Sequence, residues 1–259
     1  MDRERYLMDR IGSVDKASGF CVWYQPVCCM KTGNFCSMEA LIRLMEPDGS
    51  MVSPGEFISL AERTGAITSI TWFVVENVCE FLSGHPELDQ ISVSINLPMA
   101  QLLEPGFVPR LNGIADRFGV AHNRICLEFT EREILDTFVQ TKQVMDELSR
   151  SGFKFYLDDF GTGYSNFNCM LQLPFQFIKL DSSLIRINRQ LEGNESFVQV
   201  ITKLSHDMGM QVIAEGVETY PAVEELGRQG VDRIQGYVFS RPMAEPDLLE
   251  FYRNNPVVS

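Results

Sequence analysis

Residues 156–167 read Tyr-Leu-Asp-Asp-Phe-Gly-Thr-Gly-Tyr-Ser-Asn-Phe. An apolar strand carrying Phe153, Phe155 and Leu157 runs into two adjacent carboxylates, Asp158 and Asp159, and then into a loop punctuated by Gly161 and Gly163. Neighbouring carboxylates at a strand end repel each other unless something positive sits between them. Glycines let a loop bend tightly and approach a ligand closely. The combination points to a divalent-metal site beneath a mobile loop.

The same grammar recurs along the chain. Ile91–Ile95 ends in Asn96, Ile125–Leu127 in Glu128, Phe175–Ile178 in Lys179 with Asp181 two further on, Gln211–Ala214 in Glu215, and Arg233–Ile234 in Gln235. Short apolar strands that finish in an acid, an amide or a lysine, separated by helical segments, define an α/β chain of the (β/α) barrel type. In such barrels the functional groups sit at the C-terminal strand ends. One such ending is weak evidence; six in order, at barrel spacing, are much stronger.

The length of 259 residues suits one such barrel, and 45% hydrophobic residues suffice for one large core. No apolar run is long enough to span a membrane, and Met-Asp-Arg-Glu-Arg has no apolar core behind it to make a signal peptide. The seven cysteines show no zinc-ligand spacing; four of them (Cys21, Cys28, Cys29, Cys36) cluster around one hairpin and read as reduced thiols of a cytoplasmic protein. A net charge of −13 argues against DNA or an anionic membrane as partner. It leaves an anionic small substrate open, because metals invert the local field at a carboxylate-rich site.

Residues 1–15 read as a short charged helix. Strands at Phe20–Val27 and Phe35–Met45 flank the turn signal Lys31-Thr-Gly-Asn34, so the barrel opens with a β-hairpin. Ser53-Pro54 marks a helix start, with serine as cap and proline in the first turn, and that helix ends near Thr64-Gly65. A longer helix covers Ile67–Leu82. Further helices fall near 98–118, 132–151, 183–208, 219–229 and 245–254.

Asp158 and Asp159 are the least ambiguous members of the candidate site. Taken alone, Glu39 in Ser37-Met-Glu-Ala-Leu-Ile-Arg43 reads as solvent-facing rather than as a ligand, and only the other strand-end groups reverse that reading. Asn96 could cap the helix after Pro98. Glu128 and Glu131 alternate on a strand and its exit, and Glu131 with Thr130 could cap the next helix. Lys179 either orients water among these acids or makes a structural ion pair with Asp181. His85, His122 and His206 have no partners at ligand spacing and read as surface or structural residues. Hard oxygen donors with one amide favour Mg²⁺ or Mn²⁺ over zinc, and such sites suit phosphoryl chemistry, with two ions able to hold the attacking and departing oxygens.

At this point the motifs resemble the EAL domain, the bacterial cyclic di-GMP phosphodiesterase family, over roughly residues 18 to 252. The matching motifs are Tyr24-Gln-Pro26, Glu39-Ala-Leu41 with Arg43, Asn96-Leu97, Leu127-Glu-Phe-Thr-Glu131, Asp158 to Ser165, Lys179-Leu-Asp181, Ala214-Glu-Gly-Val-Glu218 and Gln235 to Pro242. Departures are Leu44 where tryptophan is common, Asn166-Phe-Asn168, Gln176 where aspartate is usual, and Ser182 where arginine is common.

The resemblance implies a modified (β/α)8 TIM-type barrel with an antiparallel first strand, and a division into a connector helix (1–17) and the EAL domain (18–259). It implies metal ligation by Glu39, Asn96, Glu128 and Asp158, with Asp159 on a second Mg²⁺ or Mn²⁺. Lys179 would hold the nucleophilic water, Glu215 would serve as ligand or base, and Glu131 would anchor the loop from Asp159. Gln25, Leu41, Arg43, Asp181 and Gln235 would face the nucleotide. The implied reaction opens one phosphodiester bond of cyclic di-GMP, giving pGpG; the alternative is a non-catalytic cyclic di-GMP receptor or interaction module. The implied partners are a second copy of the chain in a homodimer and a sensory or GGDEF domain in a longer signalling protein.

Overall fold

A computed structural model describes residues 3–130, 138–161, 167–188 and 196–255. Nine strands are present among them: β1 (Phe20–Cys29), β2 (Phe35–Met45), β3 (Met51–Val52), β4 (Ser92–Asn96), β5 (Ile125–Thr130), β6 (Lys154–Phe160), β7 (Phe177–Leu180), β8 (Gln211–Ala214) and β9 (Arg233–Gln235). They follow one another in the order β1-β9-β8-β7-β6-β5-β4-β2-β3, and β1 also pairs with β2. Eight strands therefore close a barrel, and β3 lies outside it against β2. From β2 through β9 the barrel strands run parallel, while β1 is antiparallel to both its neighbours.

The helices are α1 (Arg3–Ile11), α2 (Pro54–Thr64), α3 (Ile67–Gly84), α4 (Met99–Leu102), α5 (Phe107–Phe118), α6 (Phe138–Ser151), α7 (Phe167–Gln172), α8 (Ser182–Asn188), α9 (Phe197–Asp207), α10 (Tyr220–Arg228) and α11 (Glu245–Asn254). Most form the outer layer, and the large core lies between them and the barrel's outward side chains, with Phe57, Val78, Leu111, Leu148, Phe155 and Leu248 essentially inaccessible. The single helix expected over 98–118 is two, because Gly106 adopts a left-handed φ of 86° between α4 and α5. The stretch expected as one helix over 183–208 holds α8 and α9, and α6 is described from Phe138 onward. Helix α7 carried no sequence signal. Pro54 does open α2 and Gly65 closes it in the left-handed conformation, but the Ser53 hydroxyl makes no capping bond.

Helix α1 is fastened to the barrel rather than standing apart. Leu7 and Ile11 are buried, Arg10 reaches Glu46 at 2.8 Å and the Met45 carbonyl at 2.7 Å, and Arg3 bridges Glu46 and Glu56. No helix of the described residues is long and apolar enough to cross a membrane.

The end of α3 is tied to α11 by His85, whose ring nitrogens lie 3.1 Å from Glu87 and 2.9 Å from Glu245. Burial pushes the imidazole down, but the two carboxylates outweigh it and raise its pKa. A group raised on folding contributes its stability fully below its unfolded value, about 6.5, and loses it as pH rises through the folded value. Thermal melts should show a contribution on the order of 0.5 kcal/mol at pH 6 that is gone by pH 9, and Glu245→Gln should remove most of that pH dependence. Parallel pH profiles for the two proteins would contradict it.

Candidate active site

The strand periodicity of two builds the barrel interior in layers. The lower layer holds Val27, Cys126, Tyr156, Phe177 and Ile213, which form one buried apolar cluster. Ser37 and Arg233 complete it, joined by a 3.0 Å hydrogen bond, with the Arg233 guanidinium over the Phe177 ring. Two residues further along each strand, toward the C-terminal ends of the parallel ones, stand Gln25, Glu39, Glu128, Asp158, Lys179, Glu215 and Gln235. Asn96 ends β4 beside Glu128. The polar layer is the apolar layer advanced by one pleat.

Lys179 lies at the centre of this layer and is 1% exposed. Its Nζ is 2.7 Å from Glu128, 2.8 Å from Glu215, 3.3 Å from Asp158 and 3.4 Å from Glu39. Glu39 also accepts from the amides of Asn96 at 2.8 Å and Gln235 at 2.6 Å, and Gln235 donates to Gln25 at 3.1 Å. The structural alternative for Lys179, a pair with Asp181, is not what forms. The Asp181 carboxylate turns to the Ser183 amide at 2.8 Å and caps α8.

Four carboxylates about one ammonium leave excess negative charge. Burial acts against the Lys179 ammonium, but Asp158, Glu128, Glu215 and Glu39 raise its pKa well above the usual lysine range. Burial pushes Glu215 up to about 8 and Glu128 well above the carboxylate range, with neighbouring acids adding to the effect and Lys179 opposing it. Burial also works on Glu39, yet Lys179 and the two amides outweigh it and hold this group low.

The adjacent aspartates part company. The pairing of β6 with β7 shifts register between Leu157 and Phe160, and Asp159 takes a φ of 56°, the one left-handed non-glycine among the described residues. The pleat carries Asp158 into the layer, and the bulge leaves Asp159 exposed, with its amide donating to the Asp158 carboxylate at 2.9 Å. Strained backbone of this kind often accompanies a functional site. Glycine is required at 161, where φ is 100° and a Cβ would collide with the Leu184 side chain. Glu131, the expected anchor, and residues 162–166 of the loop lie outside the described residues.

Two cavities open on the layer. One, of about 360 Å³, is lined by Gln25, Glu39, Leu41, Asp158, Lys179, Glu215 and Gln235 together with Ser182, Arg186, Glu218 and Tyr237. The other, of about 300 Å³, runs beneath α2 and α3 between Leu41, Arg43, Ile58, Glu62, Ile67 and Val74, and reaches Asn96 and Glu128. Leu41 borders both. Arg43 donates to the Ile42 carbonyl at 3.0 Å and lies over the Trp23 ring. Sequence reasoning missed Ser182, Arg186, Glu218 and Tyr237 as lining residues. Arg186 stands one helical turn after Ser182 and donates to its hydroxyl at 2.8 Å, so four-residue spacing in the helix after Lys179 was a usable signal.

Among the described residues no three acidic, histidine or cysteine side chains form a ready-made metal cage, since the acids converge on Lys179. The donor set still suits a hard dication. It is all oxygen, it carries surplus negative charge, and Glu128 Oε1 is buried with no hydrogen-bond partner among the described residues.

A barrel of this topology is the fold of solved EAL domains, and the EAL-domain family profile matches residues 9–242. The chain belongs to that family. The signalling protein YkoW of Bacillus subtilis (strain 168) is 32% identical to it over 238 residues, covering 92% of this chain and 30% of YkoW. Cyclic di-GMP phosphodiesterase PdeL of Escherichia coli (strain K12) is 31% identical over 223 residues, 85% of this chain and 62% of PdeL. The solved structure of the PaMucR phosphodiesterase in complex with c-di-GMP superposes with a TM-score of 0.85 at 28% identity, covering 94% of this chain and 99% of that one. The chain thus spans less than two thirds of the length of both curated relatives.

Proposed function

We propose that this chain is a metal-dependent cyclic di-GMP phosphodiesterase that opens one phosphodiester bond to give linear pGpG. The observation that carries this reading is the convergence of Glu39, Glu128, Asp158 and Glu215 on one buried lysine between two cavities. Glu39, Asn96, Glu128 and Asp158 would hold one Mg²⁺ or Mn²⁺, and Asp159 would serve a second. Bound there, the ions would bring the pKa of water down from about 15.7 toward neutrality and offset the charge of the phosphate.

The chain's own groups divide the remaining work. Lys179 donates toward the attacking water and the charge that develops on the phosphate. Glu215, the most accessible of the four acids at 19% exposure, is placed to accept the water's proton. Gln235 and Asn96 fix the Glu39 carboxylate in place. The apolar walls of the smaller cavity, with Arg43 and Glu62 at hand, suit one purine base, while Arg186 and Tyr237 border the path of the other half of the ligand.

The direct test is chromatography of cyclic di-GMP incubated with the protein and Mg²⁺. Appearance of pGpG supports turnover; tight nucleotide binding without product indicates the receptor alternative. Excess chelator should abolish turnover, and Ca²⁺ should bind but inhibit, because its looser coordination positions the reacting groups poorly. Full activity in chelator would sink the metal requirement.

A homodimer is part of the same proposal. Phe197 and Val200 on α9, and Leu171 on α7, are large apolar side chains left exposed. Replacing Phe197 and Val200 with aspartate should yield a monomer in sedimentation velocity while the native protein sediments as a dimer. A native monomer at assay concentration would remove this part.

A further inference from the structure

Helix α8 follows directly on the strand that carries Lys179, and its neighbours fix where it lies. The Asp181 carboxylate caps it through the Ser183 amide at 2.8 Å. Two left-handed glycines at the exits of flanking strands let it come close. A Cβ on Gly161, after β6, would collide with the Leu184 side chain. At Gly216, the residue after Glu215, φ is 62° and a Cβ would stand 2.7 Å from the Ser182 Cβ. The start of α8 is therefore wedged between the ends of β6 and β8, beside Asp158 on one flank and Glu215 on the other.

Arg186 stands one turn into this helix and lines the larger cavity together with Ser182. Its Nη2 donates to the Ser182 hydroxyl at 2.8 Å. That bond steadies one edge of the planar guanidinium and leaves the other N–H groups of the fork for a ligand. The charges in the cavity give those groups a task. Among the described residues lining it, the cations are Lys179 and Arg186, against Glu39, Asp158, Glu215 and Glu218. The Lys179 ammonium is already shared among four carboxylates. Arg186 is exposed and is the cation of this lining left to meet an anion that enters from solvent.

The cyclic dinucleotide of the phosphodiesterase reading, on which this inference rests, carries two phosphates. One is opened at the carboxylate layer. The other is a monoanion, and no cation of that layer is free to meet it. We propose that Arg186, oriented by Ser182, binds this second, uncleaved phosphate and so sets the preference of the site for a ligand with two phosphates. A guanidinium can give two parallel N–H donors to two phosphate oxygens, which an ammonium cannot. When the first phosphate is opened, the second becomes the internal linkage of pGpG with its charge unchanged. Arg186 therefore holds substrate and transition state equally, and its loss belongs in KM and not in kcat.

The experiment is calorimetric titration of cyclic di-GMP into the intact protein with Ca²⁺, beside steady-state kinetics with Mg²⁺. Arg186→Ala should weaken binding by roughly 10- to 100-fold, raise KM in proportion and leave kcat within about twofold. Arg186→Lys should fall between the two proteins. Ser182→Ala should cost less, and should add nothing further in the Arg186→Ala background. A cyclic di-GMP analogue with one neutral methylphosphonate linkage tests the contact itself. Its charged phosphate goes to the carboxylate layer and its ions, which leaves the neutral linkage at Arg186. The native protein should then bind the analogue as weakly as Arg186→Ala does, and Arg186→Ala should bind analogue and parent alike. An equal loss on the analogue in both proteins, native affinity in Arg186→Ala, or a fall in kcat at constant KM would overturn the assignment and leave the phosphodiesterase reading standing. A native protein that neither binds nor opens cyclic di-GMP would remove both.

Discussion

Replacing Lys179 with alanine is expected to lower kcat by roughly a thousandfold while KM changes little. The ammonium lines the larger cavity but is buried and meets four carboxylates within 3.4 Å, so its hydrogen bonds go to the acids around it rather than to a base or ribose. A group in that position strengthens its interaction chiefly as charge develops, which is the condition for an effect on kcat. The same substitution should change stability in a metal-dependent way. Removing one partner of a buried ion cluster costs on the order of 3–5 kcal/mol when nothing replaces it. In chelator the variant should therefore melt well below the native protein, by about 2–4 °C per kcal/mol for a chain of this size. Added Mg²⁺ should restore most of the difference, because a dication can take over the neutralising role. Lys179→Met, which keeps the packing, should show the same kinetic loss. A variant whose KM rises while kcat holds would place Lys179 on the ground-state phosphate instead.

Much of the barrel was legible because each strand is a short apolar run with a polar residue at a fixed place. Phe177-Ile-Lys-Leu and Ile125-Cys-Leu-Glu show it, since a side chain that must face the polar layer interrupts an otherwise apolar strand. The hairpin was legible from its turn residues. The break between α4 and α5 was not, because Gly106 in a helical stretch can be tolerated or can end the helix, and only tertiary packing decides. Site membership was harder to read. The period of two continued from Tyr156 points Asp158 inward, but the bulge that leaves Asp159 exposed is a property of how β6 meets β7 and has no signal along the chain. Asp181 is two residues from Lys179 in sequence yet turned away as a helix cap. Arg186 and Tyr237 come from segments that follow the strands, where side-chain direction is set by packing and not by a period of two.

Glu39→Ala is expected to remove turnover almost entirely, by roughly a thousandfold or more, and to weaken metal binding with it. Glu39 stands inside β2, where its neighbours Met38 and Ala40 point into the outer core, so its inward direction is fixed by the pleat. Three donors converge on its carboxylate: Asn96, Gln235 and Lys179. Truncation would leave each without this acceptor, at about 1–3 kcal/mol for each group that finds no replacement. A loss of activity in Glu39→Ala could therefore reflect a disordered layer as well as a missing ligand. Glu39→Gln separates the two causes. It keeps the shape and one carbonyl acceptor, so its melting temperature should stay closer to native, but it removes the negative charge a dication needs. If Glu39 acts through the metal, Glu39→Gln should be nearly as inactive as the alanine variant, with metal affinity lowered in calorimetry and the fold retained. If instead Glu39→Gln turned over cyclic di-GMP at a near-native rate, the carboxylate would be an organiser of the amides around it, and the metal would have to be held by Asn96, Glu128 and Asp158 without it.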